Sequence, residues 1–223
     1  KGTTEITGGT GSLGITGGSS AFGASVVTGV IDSSVTAVIE NSKVNADKDV
    51  IVSAEANETI GKSDAPFITV AGGFSTGVTL EGAIDTLIMS STADAHIKGT
   101  KIIDDVAYGI TAGRDVSITA QGTDNIFAIG GAVGASSQTG VGATINTIVV
   151  DKDVDAYAEN TTIDAKQDIK AKATEIDNFF TTVIAAGGAG TTGVAGVVNT
   201  NVITSELKAG FNNSTLKAGN KIS

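Results

Sequence analysis

The 223-residue chain has no cysteine and no tryptophan, and only one histidine, one proline and one methionine. Without cysteine, it has no disulfide framework, thiolate zinc site, iron–sulfur cluster or cysteine nucleophile. Positive charge is also scarce, because 14 Lys and Arg stand against 24 Asp and Glu, giving a net charge of −10. A chain so acidic is not built to hold a phosphate backbone, so we expect no nucleic-acid partner.

The residues that are present favour β-structure. Hydrophobic residues make up 40% of the chain, which is too many for plain disorder, although only 4% are aromatic. Most apolar residues are Val, Ile and Ala, and Thr and Ser dominate the polar ones. Val, Ile and Thr fit a pleated, half-buried sheet surface, so we expect an all-β protein with a narrow core.

Three sequence landmarks recur in the same order four times. The first is a motif that begins at Ala46, Ala112, Ala165 and Ala218, with spacings of 66, 53 and 53 residues. The second lies upstream of it and begins at Ala37, Ala95, Ala156 and Ala209. The third stands ten residues before the second, at Val27, Asp85, Asn146 and Asn199, each followed by Thr. This recurrence predicts one continuous unit of four imperfect repeats of about 53–66 residues, roughly 1–60, 61–125, 126–177 and 178–223. The last repeat is truncated, so we interpret the chain as a fragment of a longer protein.

Apolar and polar residues alternate within each repeat with the period of two that marks a β-strand. The apolar positions of the third repeat are Val154, Ala156 and Ala158, then Ile163 and Ala165, then Ile169, Ala171 and Ala173. Three short strands in a coil of about 20 residues predict a single-stranded, right-handed parallel β-helix, which is a solenoid. Asn41, Gly99, Asn160 and Asn213 follow the first strand, and these residue types tolerate positive φ, so we expect a left-handed corner there. The second repeat has an insertion at 101–109, which we expect to bulge outward from the corner.

The other part of each repeat carries no charge. The stretches 6–31, 125–150 and 178–205 contain no Lys, Arg, Asp or Glu, and 67–80 is a shorter counterpart. We interpret them as further strands of the solenoid, with glycine where coils pack closely. Gly, Thr, Ser and Asn interrupt them too often for a transmembrane helix. Insertion into a membrane as amphipathic β-hairpins remains an alternative.

One acidic cluster is a weak candidate for a metal site. Asp151, Asp153 and Asp155 alternate, so their carboxylates face one side of a strand and could bind Ca²⁺ through oxygen ligands. No glycine or closing glutamate follows at the positions of an EF-hand loop, and clusters of this kind in an acidic chain are usually solvated surface. Asp104–Asp105 is a second such cluster. We therefore expect no metal site and no cofactor.

An enzymatic function is a third-ranked alternative. Some parallel β-helices cleave polysaccharides with carboxylates in a cleft, but a catalytic site occurs once, whereas the acidic residues here recur from repeat to repeat. The single histidine, His96, alternates with Ala95 and Ile97, which predicts that it points to solvent. We expect no catalytic residues.

The repeats resemble those of a known family. Uncharged segments such as 128–135 and 142–148, followed by the charged segment 163–169, resemble the large secreted exoproteins of Gram-negative bacteria. These include filamentous-haemagglutinin-like adhesins, autotransporter passengers and, with the greatest likeness, the leukotoxin-type exoproteins of fusobacteria. The resemblance carries over no functional residue.

The resemblance implies a virulence protein that is secreted or displayed on the bacterial surface, through an autotransporter or two-partner route. Its expected partner is a host cell-surface receptor or a glycan, which it binds as an adhesin or stalk. The alternative is a segment of a leukotoxin, for which membrane contact is expected. The exposed strand edges at both ends of such a rod also predict end-to-end self-association.

Overall fold

The computed structural model describes residues 1–99 and 109–223. Within these ranges 82% of residues lie in strands and no helix occurs. The chain is therefore all-β, and every strand pair in the described ranges is parallel, as the sequence predicts. The strands are β1 (Gly2–Ile6), β2 (Gly8–Ile15), β3 (Ser20–Glu40), β4 (Lys43–Ala46), β5 (Val50–Ile60), β6 (Phe67–Ser75), β7 (Val78–Lys98), β8 (Gly109–Ala112), β9 (Val116–Ser136), β10 (Thr139–Glu159), β11 (Thr162–Ala165), β12 (Ile169–Ala189), β13 (Thr192–Asn212) and β14 (Thr215–Ala218).

The strands form three parallel sheets that the chain visits in a fixed order. Sheet A contains β1, β2, β5, β6, β9 and β12, sheet B contains β3, β7, β10 and β13, and sheet C contains β4, β8, β11 and β14. From β3 onward the chain passes from sheet B to sheet C to sheet A and back to sheet B. One passage through the three sheets takes a whole repeat. The prediction of three short strands in about 20 residues is therefore wrong, since β9, β10, β12 and β13 have 21 residues each.

The register of the sheets pairs the landmarks of the repeats. In sheet C, Ala46 pairs with Ala112, Ala112 with Ala165, and Ala165 with Ala218. The second and third landmarks form two rows of paired neighbours across sheet B. These rows are Ala37–Ala95–Ala156–Ala209 and Val27–Asp85–Asn146–Asn199. The spacing read from the sequence is therefore the spacing of the strand register.

Near sheet C, the inward faces of all three sheets enclose the largest apolar core. Its buried residues are Val, Ile and Ala, for example Ile118 from sheet A, Ala156 from sheet B and Ile163 from sheet C. The inward positions predicted for the third repeat, from Val154 to Ile169, belong to this core. We call this part of the molecule the three-sheet half.

Away from sheet C, only the inward faces of sheets A and B face one another. This two-sheet half consists of the stretches 6–31, 67–89, 125–150 and 178–203. Its core thins from a cluster with Phe67, Leu87 and Ile148 to a cluster of three alanines, Ala71, Ala83 and Ala132. The uncharged stretches are therefore strands, as predicted, but they continue the long strands of the three-sheet half rather than forming separate short ones.

Glycine allows the two sheets to approach one another at the far end of the two-sheet half. A Cβ on Gly134 would run into the backbone of Val141, and a Cβ on Gly142 would lie 2.7 Å from the carbonyl oxygen of Ala132. The two-residue turn 137–138 joins β9 to β10 just beyond this contact. Residues with side chains at these inward positions would force the sheets apart.

The corners between sheets B and C have the predicted left-handed conformation. Asn41, Asn160 and Asn213 have φ of 44°, 52° and 44°, and Gly99 has φ of 69°. These four residues occupy equivalent places after β3, β10, β13 and β7. The insertion at 101–109 and the cluster Asp104–Asp105 fall outside the described residues, apart from Gly109, which begins β8.

Candidate functional site: the outer face of sheet B

The outer face of sheet B presents side chains from four consecutive strands in straight rows, because β3, β7, β10 and β13 pair without a bulge over 21 residues. The residue types in these rows change along the length of the strands. In the three-sheet half they carry charged and aromatic side chains, and in the two-sheet half they carry apolar side chains and threonine. The change occurs near Asp32 and Asp151.

The three predicted candidate ligands, Asp151, Asp153 and Asp155, all lie on this outer face. Burial, followed by the nearby Asp153 carboxylate, raises the pKa of Asp155 from 3.8 to about 6. Asp94 lies beside Asp155 on the next strand, and Lys208 lies 4.0 Å from it on the other side. In residues 1–99 and 109–223, no group of three or more His, Asp or Glu side chains is placed to hold a metal ion.

His96 lies on the outer face, as the alternation predicts, but it is only 8% exposed rather than open to solvent. Its Nδ1 lies 2.8 Å from the Asp94 carboxylate and its Nε2 lies 3.4 Å from that of Glu40. The imidazole ring stacks on Tyr157, with ring centroids 5.0 Å apart. Side chains from three neighbouring strands therefore cover it, which alternation along a single strand cannot predict.

A groove opens beside this stack, between β10 and β13. Its volume is 370 Å³. Its lining combines aromatic, acidic, basic and amide side chains: Asp155, Tyr157, Glu159, Lys208 and Asn212. Burial, and then the negative charge of Asp94, raises the pKa of Tyr157, so the phenol remains a neutral hydrogen-bond donor. The groove offers both a ring surface and polar groups to a ligand.

The outer face of the two-sheet half consists of five rows without charge. The rows are Phe22–Leu80–Val141–Val194, Ala24–Gly82–Ala143–Gly196, Val26–Ile84–Ile145–Val198, Thr28–Thr86–Thr147–Thr200 and Val30–Ile88–Val149–Val202. Toward the far end of these strands the inward set is smaller or more polar, and includes Gly142, Thr144 and Asn146. There the large apolar side chains lie outside, which is the reverse of the three-sheet half, whereas Leu87 and Ile148, nearer the junction, still point inward.

A buried ionic layer separates the two halves inside the molecule. Lys152 is 2% exposed and its Nζ lies 2.8 Å from Asp124 and 2.5 Å from Asp177. Glu58 pairs with Asp124 in sheet A and accepts a hydrogen bond from Ser33 of sheet B. Burial raises the pKa of Asp124 to about 6, and Lys152 partly offsets the increase. For Lys152, burial lowers the pKa, but hydrogen bonds to the two aspartates outweigh that effect and raise it.

Two further carboxylates are buried in the two-sheet half. Asp85 is 1% exposed, and burial raises its pKa to about 6, with the Thr69 hydroxyl only partly offsetting this. Burial also raises the pKa of Glu81, whose carboxylate occupies the space beside Gly23 and Gly73. Neither carboxylate has an ion-pair partner among the described residues.

These buried charged residues are not among the sites predicted from the sequence. The alternation of inward and outward positions along a strand nevertheless indicates that some of them point inward. Lys152 stands two residues before Val154 in an alternating strand, so an inward Val154 requires an inward Lys152. Asp85 occupies the same landmark row as Val27 and Asn146, which indicates an inward position.

No helix in residues 1–99 and 109–223 is long and apolar enough to cross a membrane. Comparison of the chain with protein-family models, with curated proteins and with solved structures finds no match.

Proposed function

We propose that the chain is a right-handed, single-stranded parallel β-helix of four coils, taken from a large secreted or surface-displayed bacterial exoprotein of the adhesin type. The fixed order of sheets B, C and A, repeated in register, supports the solenoid. The right-handed sense follows the strong preference of parallel crossover connections. The recurring uncharged and charged segments of the repeats support the assignment to this kind of exoprotein.

In this proposal the segment binds host cells without catalysing a reaction. The observation that carries it is the groove beside Tyr157, where aromatic, acidic and basic side chains from adjacent coils converge on an outer face of regular strands. Coils that contact only their neighbours leave the outward side chains free for recognition. The partner is a receptor or a glycan on the host cell surface.

Flow cytometry tests this proposal directly. The labelled chain is added to leukocytes, epithelial cells and erythrocytes, with a membrane-impermeant dye in the same tube. We expect saturable binding to at least one cell type without dye entry, and loss of that binding in Tyr157→Ala. Phe180→Ala is the matched control, because Phe180 is an exposed aromatic residue on sheet A. Equal binding by both variants, or no binding to any cell type, would contradict the proposal. Dye entry would support the alternative of a leukotoxin segment instead.

We also propose end-to-end association through the open edges of the stack. In the described residues, β3 and β13 are the two terminal strands of sheet B, and each has one unpaired backbone edge. The inward Leu207 of β13 is 46% exposed for the same reason. Scattering curves at increasing concentration should show elongating particles, and a strictly monomeric profile at high concentration would contradict this association.

A further inference from the structure

The apolar rows of sheet B form a surface larger than a soluble monomer usually exposes. Ten large apolar side chains on these rows are 40–66% exposed: Phe22, Val26, Val30, Leu80, Ile84, Ile88, Ile145, Val194, Val198 and Val202. Contiguous apolar patches of more than a few hundred Å² mark interaction sites. A partner for this surface must therefore be identified by its chemistry.

The surface has a relief of ridges and one groove. The Ala24–Gly82–Ala143–Gly196 row lies between two rows of large side chains, the Phe22 row and the Val26 row. The groove above the small row has a volume of 580 Å³ and is lined by Phe22, Ala24, Leu80, Gly82, Val141 and Ala143. A ridge of branched side chains, such as the Val26 row, has the shape that fills it.

We propose that a second copy of this chain packs the apolar rows of its own sheet B against these rows, with its strands antiparallel to the first. In this arrangement the Val26 row of each copy fills the Ala24 row of the other. The contact is isologous, because a two-fold axis in the plane of the interface exchanges the two rows. Aligned face-to-face packing of sheets about 10 Å apart is an established geometry for such surfaces.

The area is sufficient for a specific pair. Four strands about 4.8 Å apart and nine residues of about 3.3 Å each cover roughly 570 Å² per copy, or roughly 1,100 Å² in total. Specific interfaces begin at about 1,000 Å². Each additional coil in a longer protein would add one more strand to the contact.

The charges set the orientation. Asp32 and Asp151 begin the charged part of the outer face, just beyond the last apolar row. Parallel strands would place the acidic rows of one copy opposite the acidic rows of the other, which is destabilising. Antiparallel strands place the charged part of each copy beyond the turn at 137–138 of the other, where the acidic rows do not meet.

A lipid surface fits these rows less well. Hydrocarbon leaves open sheet edges without hydrogen-bond partners, and both terminal strands here have such an edge. Insertion would also take the buried Glu81 and Asp85 into lipid. None of the apolar rows carries Lys or Arg to attract anionic headgroups.

Sedimentation velocity of the 223-residue chain tests the proposal. Self-association through the apolar rows is independent of host-cell binding, because the proposed host-cell site lies on the charged part of the outer face. Ile145→Lys puts a charge in the central row, and Ile176→Lys is the control on sheet A, with exposures of 43% and 45% in the native chain. We expect self-association to weaken at least ~10-fold in Ile145→Lys and to be unchanged in Ile176→Lys. If circular dichroism shows that Ile145→Lys does not fold, Val198→Lys, in the same row on the terminal strand β13, replaces it in the test.

Four outcomes would overturn the proposal. One is a native chain that stays monomeric up to its solubility limit. The second is association that persists undiminished in Ile145→Lys, which would assign it to the strand edges. The third is association that weakens equally in Ile145→Lys and Ile176→Lys. The fourth is flotation of the native chain, but not of Ile145→Lys, with phosphatidylcholine vesicles in the absence of self-association, which would assign the rows to lipid.

Discussion

The three-sheet half and the far end of the two-sheet half are built from the same continuous strands, yet they bury opposite kinds of residue. Where sheet C widens the interior, inward positions hold Ile, Val and Ala, and the outer face is charged. At the far end of the two-sheet half, where sheets A and B approach most closely, inward positions hold glycine, alanine and polar residues, and the outer face holds Ile84 and Ile145. The difference teaches that strand alternation sets two faces, whereas the space between the sheets decides which face receives the large side chains.

A layer of buried charged residues lies at the boundary between the two halves. A row of stacked carboxylates on sheet A, including Asp124 and Asp177, meets Lys152 from sheet B. Leaving a buried charge without its partner costs several kcal/mol, so this layer favours one alignment of sheets A and B. A slip by one residue would turn Lys152 outward and leave the carboxylates unpaired. The layer therefore fixes the alignment of sheet A with sheet B at the junction of the two halves.

The largest expected effect comes from placing a charge in the three-sheet core. Ala165 is 1% exposed and lies among apolar residues of all three sheets. Ala165→Asp should reduce the free energy of unfolding by about 4 kcal/mol or more, because the new carboxylate is buried without a partner. Asp164→Ala should change it by less than about 1 kcal/mol, because this outward side chain makes only a surface ion pair with Lys217. Similar effects in chemical denaturation would refute the assignment of inward faces.

Removing the cation of the ionic layer should be nearly as damaging. Lys152→Met should cost about 3–5 kcal/mol, since it leaves Asp124 and Asp177 buried without a positive partner. Part of that loss should be recovered at low pH, where the carboxylates take up protons. Lys208→Met is the control on the surface, where the ion pair with Glu206 is exposed, and it should change the free energy of unfolding far less than Lys152→Met. Equal losses for the two variants would show that the layer does not stabilise the junction.

The narrow half can be tested by adding single methyl groups. Gly134→Ala should destabilise the protein by about 1–3 kcal/mol, because its Cβ would overlap the backbone of Val141 and separate the two sheets. Gly196→Ala adds the same group on the outer face, where no atom lies within 4 Å. It should be neutral or stabilise by up to about 1 kcal/mol, since alanine restricts the unfolded chain. A thermal denaturation series in which both variants behave alike would contradict close approach of the sheets.

Much of the three-sheet half could be predicted from the sequence. The inward positions from Val154 to Ile169 and the positive φ of Asn41 follow from alternation and from residue preference, which are local properties. Strand length could not be predicted in this way. The glycine-rich stretches interrupt the inward apolar pattern, with Gly142, Thr144 and Asn146 at inward positions of β10, so the sequence does not show that β9 and β10 continue through them for 21 residues.

The candidate site was predictable only where one strand determines it. The outward direction of Asp151, Asp153 and Asp155 follows from alternation along β10. The burial of His96 depends on Tyr157, which is 61 residues away in the chain and adjacent only through the register. The groove and the apolar rows likewise arise from neighbours contributed by different repeats, so no single segment reveals them.

The smallest expected effect distinguishes the buried carboxylates of the two halves by pH. The pKa of Asp85 rises from 3.8 to about 6 through burial, so its contribution to stability is fully present below pH 3.8 and is lost as the pH rises through 6. Asp85→Asn removes this loss and should stabilise the protein by about 1 kcal/mol at pH 7, because the amide retains part of the cost of burial. The gain should disappear as the pH falls below 5, since the Asp85 carboxyl of the native chain is then protonated and neutral, like the amide of the variant. Asp151→Asn is the control, because this side chain lies exposed on the outer face, and it should change the free energy of unfolding little at pH 7. Asp124→Asn should destabilise at pH 7 instead, because Asp124 lies 2.8 Å from Lys152 whereas Asp85 has no cation opposite it. Urea denaturation from pH 4 to pH 8 measures all three, and a gain in Asp124→Asn equal to that in Asp85→Asn would mean that the ionic layer and the narrow half bury their carboxylates in the same way.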